Sequence, residues 1–166
     1  MLEIITHTPT WVFGLFIGLV LLGVQQRKNR QVKKPLAFIL PLGMLALSFT
    51  GVWTSFGFMP SALSIWGAGL IMSAFAVARI WPVRGLKYNQ TNNSFFIPGS
   101  WAPFSVIMLI FFAKYSVGVL HGISPAALDS TLLKLAFSLV YGLSSGYFVG
   151  RALCLWQAFS QKRAGI

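Results

Sequence analysis

Acidic residues are nearly absent from this sequence: Glu3 and Asp129 are the only two. Without a carboxylate pair to share a proton or hold a divalent ion, two-carboxylate hydrolysis and metal-dependent hydrolysis have no residues to rest on. Cysteine is as scarce. The one thiol, Cys154, excludes an internal disulfide, a CxxC redox pair and a thiolate zinc site. No nucleophile elbow, HExxH helix or phosphate loop occurs either, so the sequence leans away from an enzyme. Charge of any sign is sparse, at 9% of residues against roughly 25% in an ordinary soluble domain.

Hydrophobic residues make up 56% of the 166-residue chain, and the mean hydropathy is +0.74. A water-soluble fold of this size could not hide that much apolar surface. Thirteen Lys and Arg against two acids give a net charge of +11, which in a soluble protein would suggest nucleic acid. The basic residues instead cluster between apolar runs. A Lys/Arg excess in cytoplasmic loops orients membrane helices and needs no partner beyond anionic lipid headgroups, so no nucleic-acid partner is expected. Nothing basic precedes the first apolar run, so it reads as a retained helix rather than a secretory signal.

Spanning about 30 Å of hydrocarbon takes about 20 helical residues. Five apolar stretches approach that length, at about 8–24, 35–53, 61–81, 101–120 and 130–156. Thr8 and Pro9 suit the start of the first, Pro41 should kink the second, and the Trp81-Pro82 pair closes the third. The first connection carries Arg27, Lys28, Arg30, Lys33 and Lys34. The third has Arg84 and Lys87, the tail has Lys162 and Arg163, and the second and fourth have none. This alternation predicts an all-α integral membrane protein: one domain, 1–166, forming a five-helix bundle with its N-terminus outside and its C-terminus cytoplasmic. The connection 82–100 contains two β-prone runs around Asn92-Asn93, which predicts a short cytoplasmic β-hairpin between the third and fourth helices.

Lys114 is the sharpest candidate for chemistry, because thirteen residues beyond Trp101 place it within the outer half of a bilayer. An ammonium there costs several kcal/mol unless it pairs, snorkels or meets water. Glu3 and Asp129 are the candidate ion-pair partners. The alternative is an anion or small-solute cavity formed with Tyr115, Ser116, Tyr141, Ser144 and Ser145. Arg151 and Lys134 read as anchors near the two ends of the last helix, and Asp129 suits a cap at its start. Gly14 and Gly18, Gly69, and Gly142, Gly146 and Gly150 provide small-residue spacing for close helix packing, either inside the bundle or along a homo-oligomer seam. His7 and His121 flank helices on the expected outer face and offer an alternative as haem or metal ligands; otherwise no cofactor is implied.

The segments HTPTWVFGL, WPVRGLKYN into FFIPGSWAPF, FFAKYSVGV and YGLSSGYFVGRALCLW, taken in order, resemble a family of short, uncharacterised bacterial inner-membrane proteins. The resemblance covers most of the chain. It implies a bacterial plasma-membrane location and a helical bundle, and carries no activity with it. Two functions are therefore expected from the residues alone. One is a homo-oligomeric channel-like or transport protein with a cavity near Lys114. The other is an accessory or structural membrane protein that holds a partner protein through its cytoplasmic hairpin and glycine seams.

Overall fold

The computed structural model describes residues 9–80, 82–83, 85–89 and 92–163. The elements follow in the order α1 (Thr10–Gln25), β1 (Arg30–Lys33), α2 (Lys34–Phe56), α3 (Pro60–Arg79), β2 (Lys87–Asn89), β3 (Ser94–Ile97), α4 (Ala102–Ile123) and α5 (Thr131–Arg163). A 3-10 turn, Pro125–Asp129, joins α4 to α5. Pro35, Pro60 and Pro103 stand in the first turns of α2, α3 and α4, where a missing N–H leaves no bond unmade. Gly57 stops α2 at a φ of 63°, a conformation that a Cβ would disfavour. Pro41 stays inside α2 and is buried.

Four helices, α2 to α5, are long and apolar enough to cross a membrane. The expected first span falls short. Helix α1 has 16 residues, about 24 Å against the ~30 Å of a hydrocarbon core, and it ends at Gln25, one residue beyond the expected end. Its expected start at Thr8 lies outside the described residues. Helix α5 errs in the other direction, running 33 residues or about 50 Å. At most 39% of any of the four apolar stretches is buried, and side chains such as Ile71, Phe75, Leu36 and Leu42 lie more than 60% exposed. A surface this apolar fits a lipid environment and is foreign to a soluble monomer.

Helix α5 is the central element: it packs along α3 and touches α2 and α4. The α3–α5 seam is built on backbone proximity. A Cβ on Gly142 would overlap the Trp66 carbonyl, one on Gly146 the Leu70 carbonyl, and one on Gly150 would stand 2.8 Å from the Ala74 carbonyl. From the other side, a Cβ on Gly69 would lie 3.2 Å from the Leu143 amide nitrogen. These four glycines therefore pack within the bundle. Gly14 and Gly18 on α1 face open space instead. Helix α1 lies against α4 through Phe16, whose ring centroid is 5.1 Å from that of Phe111.

The expected two-stranded hairpin is a three-stranded antiparallel sheet, with order β1-β3-β2. The basic first connection supplies the extra strand, with Val32 opposite Phe95 and Arg30 opposite Ile97. Pairing β1 with β3 brings the first and third connections to the same end of the bundle. Asn93 turns the β2–β3 hairpin at a φ of 46°, a region asparagine tolerates, and its side chain accepts a hydrogen bond from Tyr88 Oη. The inner face of the sheet, Tyr88, Phe95 and Ile97, packs on Ala37 of α2 and Leu155 of α5. The added length of α5 is what supports the sheet.

The Pro98–Trp101 segment is held by the first connection. The Gly99 N–H donates to Asn29 Oδ1 at 2.9 Å and the Ser100 N–H to the Gln26 carbonyl at 3.0 Å. The Arg27 carbonyl fills the space where a Gly99 Cβ would stand, and the Arg27 guanidinium lies 5.1 Å from the Trp101 ring centre.

Gly146→Ala should cost about 1–3 kcal/mol, because the added methyl must push two backbones apart. Gly18→Ala should leave stability unchanged or slightly raised. Thermal unfolding in detergent checks both, and equal midpoints for Gly146→Ala and wild type would contradict the close α3–α5 approach.

Candidate functional site

The innermost polar contact of the bundle ties three helices together. Ser48 of α2, fully buried, donates its hydroxyl to the Tyr141 carbonyl of α5 at 2.9 Å and accepts the indole N–H of Trp66 of α3, also at 2.9 Å. One turn beyond Ser48, Gly51 leaves a notch in α2, and Lys114 of α4 lies across it. The Lys114 Cε stands 3.2 Å from where a Gly51 Cβ would be, and the Tyr141 Cζ stands 3.6 Å from the same point. Lys114 thus covers a cleft between α2 and α4 that α5 floors with Tyr141.

Lys114 sits twelve residues into α4, about 18 Å along a helix of about 33 Å, which is mid-span. It is nevertheless exposed on the bundle surface, while Ala113 and Val117 beside it face inward. Tyr141 is fully buried, and its hydroxyl has no hydrogen-bond partner among the described residues. The same holds for the hydroxyls of Ser144 and Ser145, which lie three and four positions along α5 and so flank Tyr141 on one helical face. Lys114 and Tyr141 thus meet at the junction of α2, α4 and α5, with the two serines buried one turn further along α5.

The remaining sequence candidates lie elsewhere. Tyr115 turns away by one 100° helical step and stacks on Phe111, with centroids 6.2 Å apart, on the side of α4 facing α1. Ser116, a further step round, is exposed. Asp129 is exposed in the 3-10 turn, and among the described residues no salt bridge joins it to Lys114. It makes no side-chain cap on α5, which starts instead with the Ser130 carbonyl accepting the Lys134 N–H. Glu3 and His7 lie outside the described residues. His121 is exposed in the last turn of α4, and no group of three His, Cys, Asp or Glu side chains gathers among the described residues. Cys154 is buried on α5, 4.0 Å from the Val77 carbonyl.

A second polar site at the sheet end escaped the sequence reading. Arg30 of β1 and Arg151 of α5 line one small cavity with Gln26, Pro41, Ile97, Phe148 and Leu155 among their neighbours. Arg30 Nη2 donates to Gln26 Oε1 at 3.1 Å, and Arg151 Nη1 donates to Tyr147 Oη at 3.0 Å. Burial first, and the Arg151 charge second, hold Arg30 below the usual guanidinium range. Alternation in Arg30-Gln31-Val32-Lys33 was the available signal, with residues 30 and 32 partly buried and 31 and 33 exposed.

A family model described as a family of unknown function, DUF6622, matches residues 1–165. The chain belongs to this family. No curated protein and no solved structure matches it. The match runs through all five helices and all three strands, so bundle and sheet together make up the unit the family describes.

Ser48→Ala should cost about 1 kcal/mol, since it leaves the Trp66 N–H and the Tyr141 carbonyl without their shared hydroxyl. In a double-mutant cycle, Ser48→Ala combined with Trp66→Phe should cost less than the two changes added. Strict additivity in thermal unfolding would show that the relay does not form.

Proposed function

We propose that the protein is a homo-oligomeric, multi-pass plasma-membrane protein in which the Lys114 clefts of neighbouring copies line a polar passage for small anions or small polar solutes. The observation that carries this reading is an exposed lysine midway along α4, lying over the Gly51 notch beside the buried Tyr141 ring. Against hydrocarbon, such a lysine costs several kcal/mol. Closing the open side of the α2–α4 cleft with a second copy, and filling it with water and solute, removes that cost. The lysine then selects for negative charge, as basic rings do in anion pores. The first connection, the third connection and the C-terminus face the cytoplasm, where their Lys and Arg meet anionic headgroups.

The accessory reading has less support, because the sheet spends its apolar face on the bundle. Tyr88, Phe95 and Ile97 are buried there, and Gln31, Lys33, Lys87 and Asn89 are left on the outside around a single exposed Phe96. Such a face suits solvent better than a tight protein interface.

Reconstituted into proteoliposomes, the wild-type protein should pass a small anion such as chloride or nitrate, and Lys114→Met should reduce that flux at least tenfold with the oligomer and melting temperature retained. Equal flux from the two proteins would remove Lys114 from the function.

A further inference from the structure

Like charges are seldom brought together without an occupant between them. Arg30 and Arg151 lie far apart in the chain, and the docking of the sheet on α2 and α5 brings both to one cavity. No carboxylate lines that cavity. Asp129, the one acid among the described residues, stands 22 residues away along the chain, about 33 Å at helical rise. Each guanidinium has five N–H donors, and the two hydrogen bonds to Gln26 and Tyr147 use one from each. Enough donors remain for a forked interaction with a multi-oxygen anion, the arrangement in which arginine binds phosphate best.

Arg151 also lines a second, larger cavity of about 360 Å³. This cavity lies between the end of α3, the middle of α5 and the start of α4, and Val77, Pro82, Val83, Pro98 and Ala102 make its wall largely apolar. The guanidinium therefore borders both a small basic recess and a roomier apolar one. An ester that carries its phosphate on a hydrophobic body matches both.

We propose that Arg30 and Arg151 form a binding site for a phosphate group, at the sheet end of the bundle. The site is independent of the Lys114 passage: a protein with no anion flux could still bind phosphate here, and the reverse holds too. Its occupant screens the two guanidinium charges from one another and ties β1 to α5. Bilayer phospholipid is one source of such a group and soluble phosphate is the other.

Calorimetric titration of the full chain in a phosphate-free neutral detergent separates these sources. The probes are dihexanoyl phosphatidate, dihexanoylglycerol, inorganic phosphate and hexanoate. Phosphatidate should bind at least tenfold more tightly than dihexanoylglycerol, which lacks the phosphate, or hexanoate, which offers only a carboxylate. Arg30→Gln and Arg151→Gln should each weaken it at least tenfold, while Lys34→Gln, which removes another cation at the same end, should not. Arg30→Gln, on a short edge strand, keeps the test decisive if Arg151→Gln does not fold. Weak binding of inorganic phosphate beside tight phosphatidate assigns the site to a lipid headgroup, and comparable binding of both assigns it to the phosphate alone. Equal affinity for phosphatidate and dihexanoylglycerol, equal affinity for phosphatidate and hexanoate, or unchanged phosphatidate affinity in Arg30→Gln would overturn the proposal.

Discussion

Three glycines at four-residue spacing let the backbone of α5 lie directly against α3, and the placement of the other elements follows from that contact. With Gly142, Gly146 and Gly150 spent on α3, the neighbouring face of α5 carries Tyr141 and Phe148 toward α2 and α4. Lipid offers no hydrophobic drive for helix association, so a seam of this kind relies on close van der Waals packing. The Ser48 hydroxyl, shared between Trp66 and Tyr141, fixes α2 against the same pair. The remaining apolar layer, Met44, Ile107, Ile110 and Phe148, fills the middle of the bundle and separates the Lys114 cleft from the arginines at the sheet end.

The sheet does for the first and third connections what the glycines do for the helices. Alone, a hairpin of three- and four-residue strands would be marginal in water. Here β1 pairs along β3, the sheet lies on the extended end of α5, and the Lys34 ammonium stands 3.6 Å above the Phe159 ring. The cost of this arrangement is electrostatic. Pinning a basic connection onto the end of a helix that carries Arg151 forces two cations into one recess, and that tension gives the recess its affinity for an anion.

The apolar helices were legible because hydropathy marks the spans directly and Pro35 marks the start of α2. Strand β1 was not, because the five basic residues around it had a sufficient explanation in membrane orientation, and its alternation extends over only four residues. The expected first span, 8–24, was itself only 17 residues, at the lower limit for crossing a bilayer, and α1 has 16. In the candidate site, the hydroxyls of α5 were placed near Lys114 by shared depth. Tyr115 and Ser116 were grouped with it for the same reason, and helical geometry separates them, since successive residues point 100° apart. Depth is readable from sequence position. Azimuth depends on which face a neighbouring helix claims, and for α4 that is settled by the stripe Pro103, Ile107, Ile110, Ala113 and Val117.

Lys114 is where this architecture is under most strain, since a bundle that buries its serines leaves an ammonium on its surface at mid-span. The most direct test of the account is a cryo-EM map of the protein in lipid nanodiscs, read for the number of copies and for what covers Lys114. The account predicts two or more copies around an axis, with each Lys114 turned toward a shared hydrated space and Tyr141 beneath it. A single copy with Lys114 bent to the headgroup level, and acyl chains lying in the α2–α4 cleft, would contradict it.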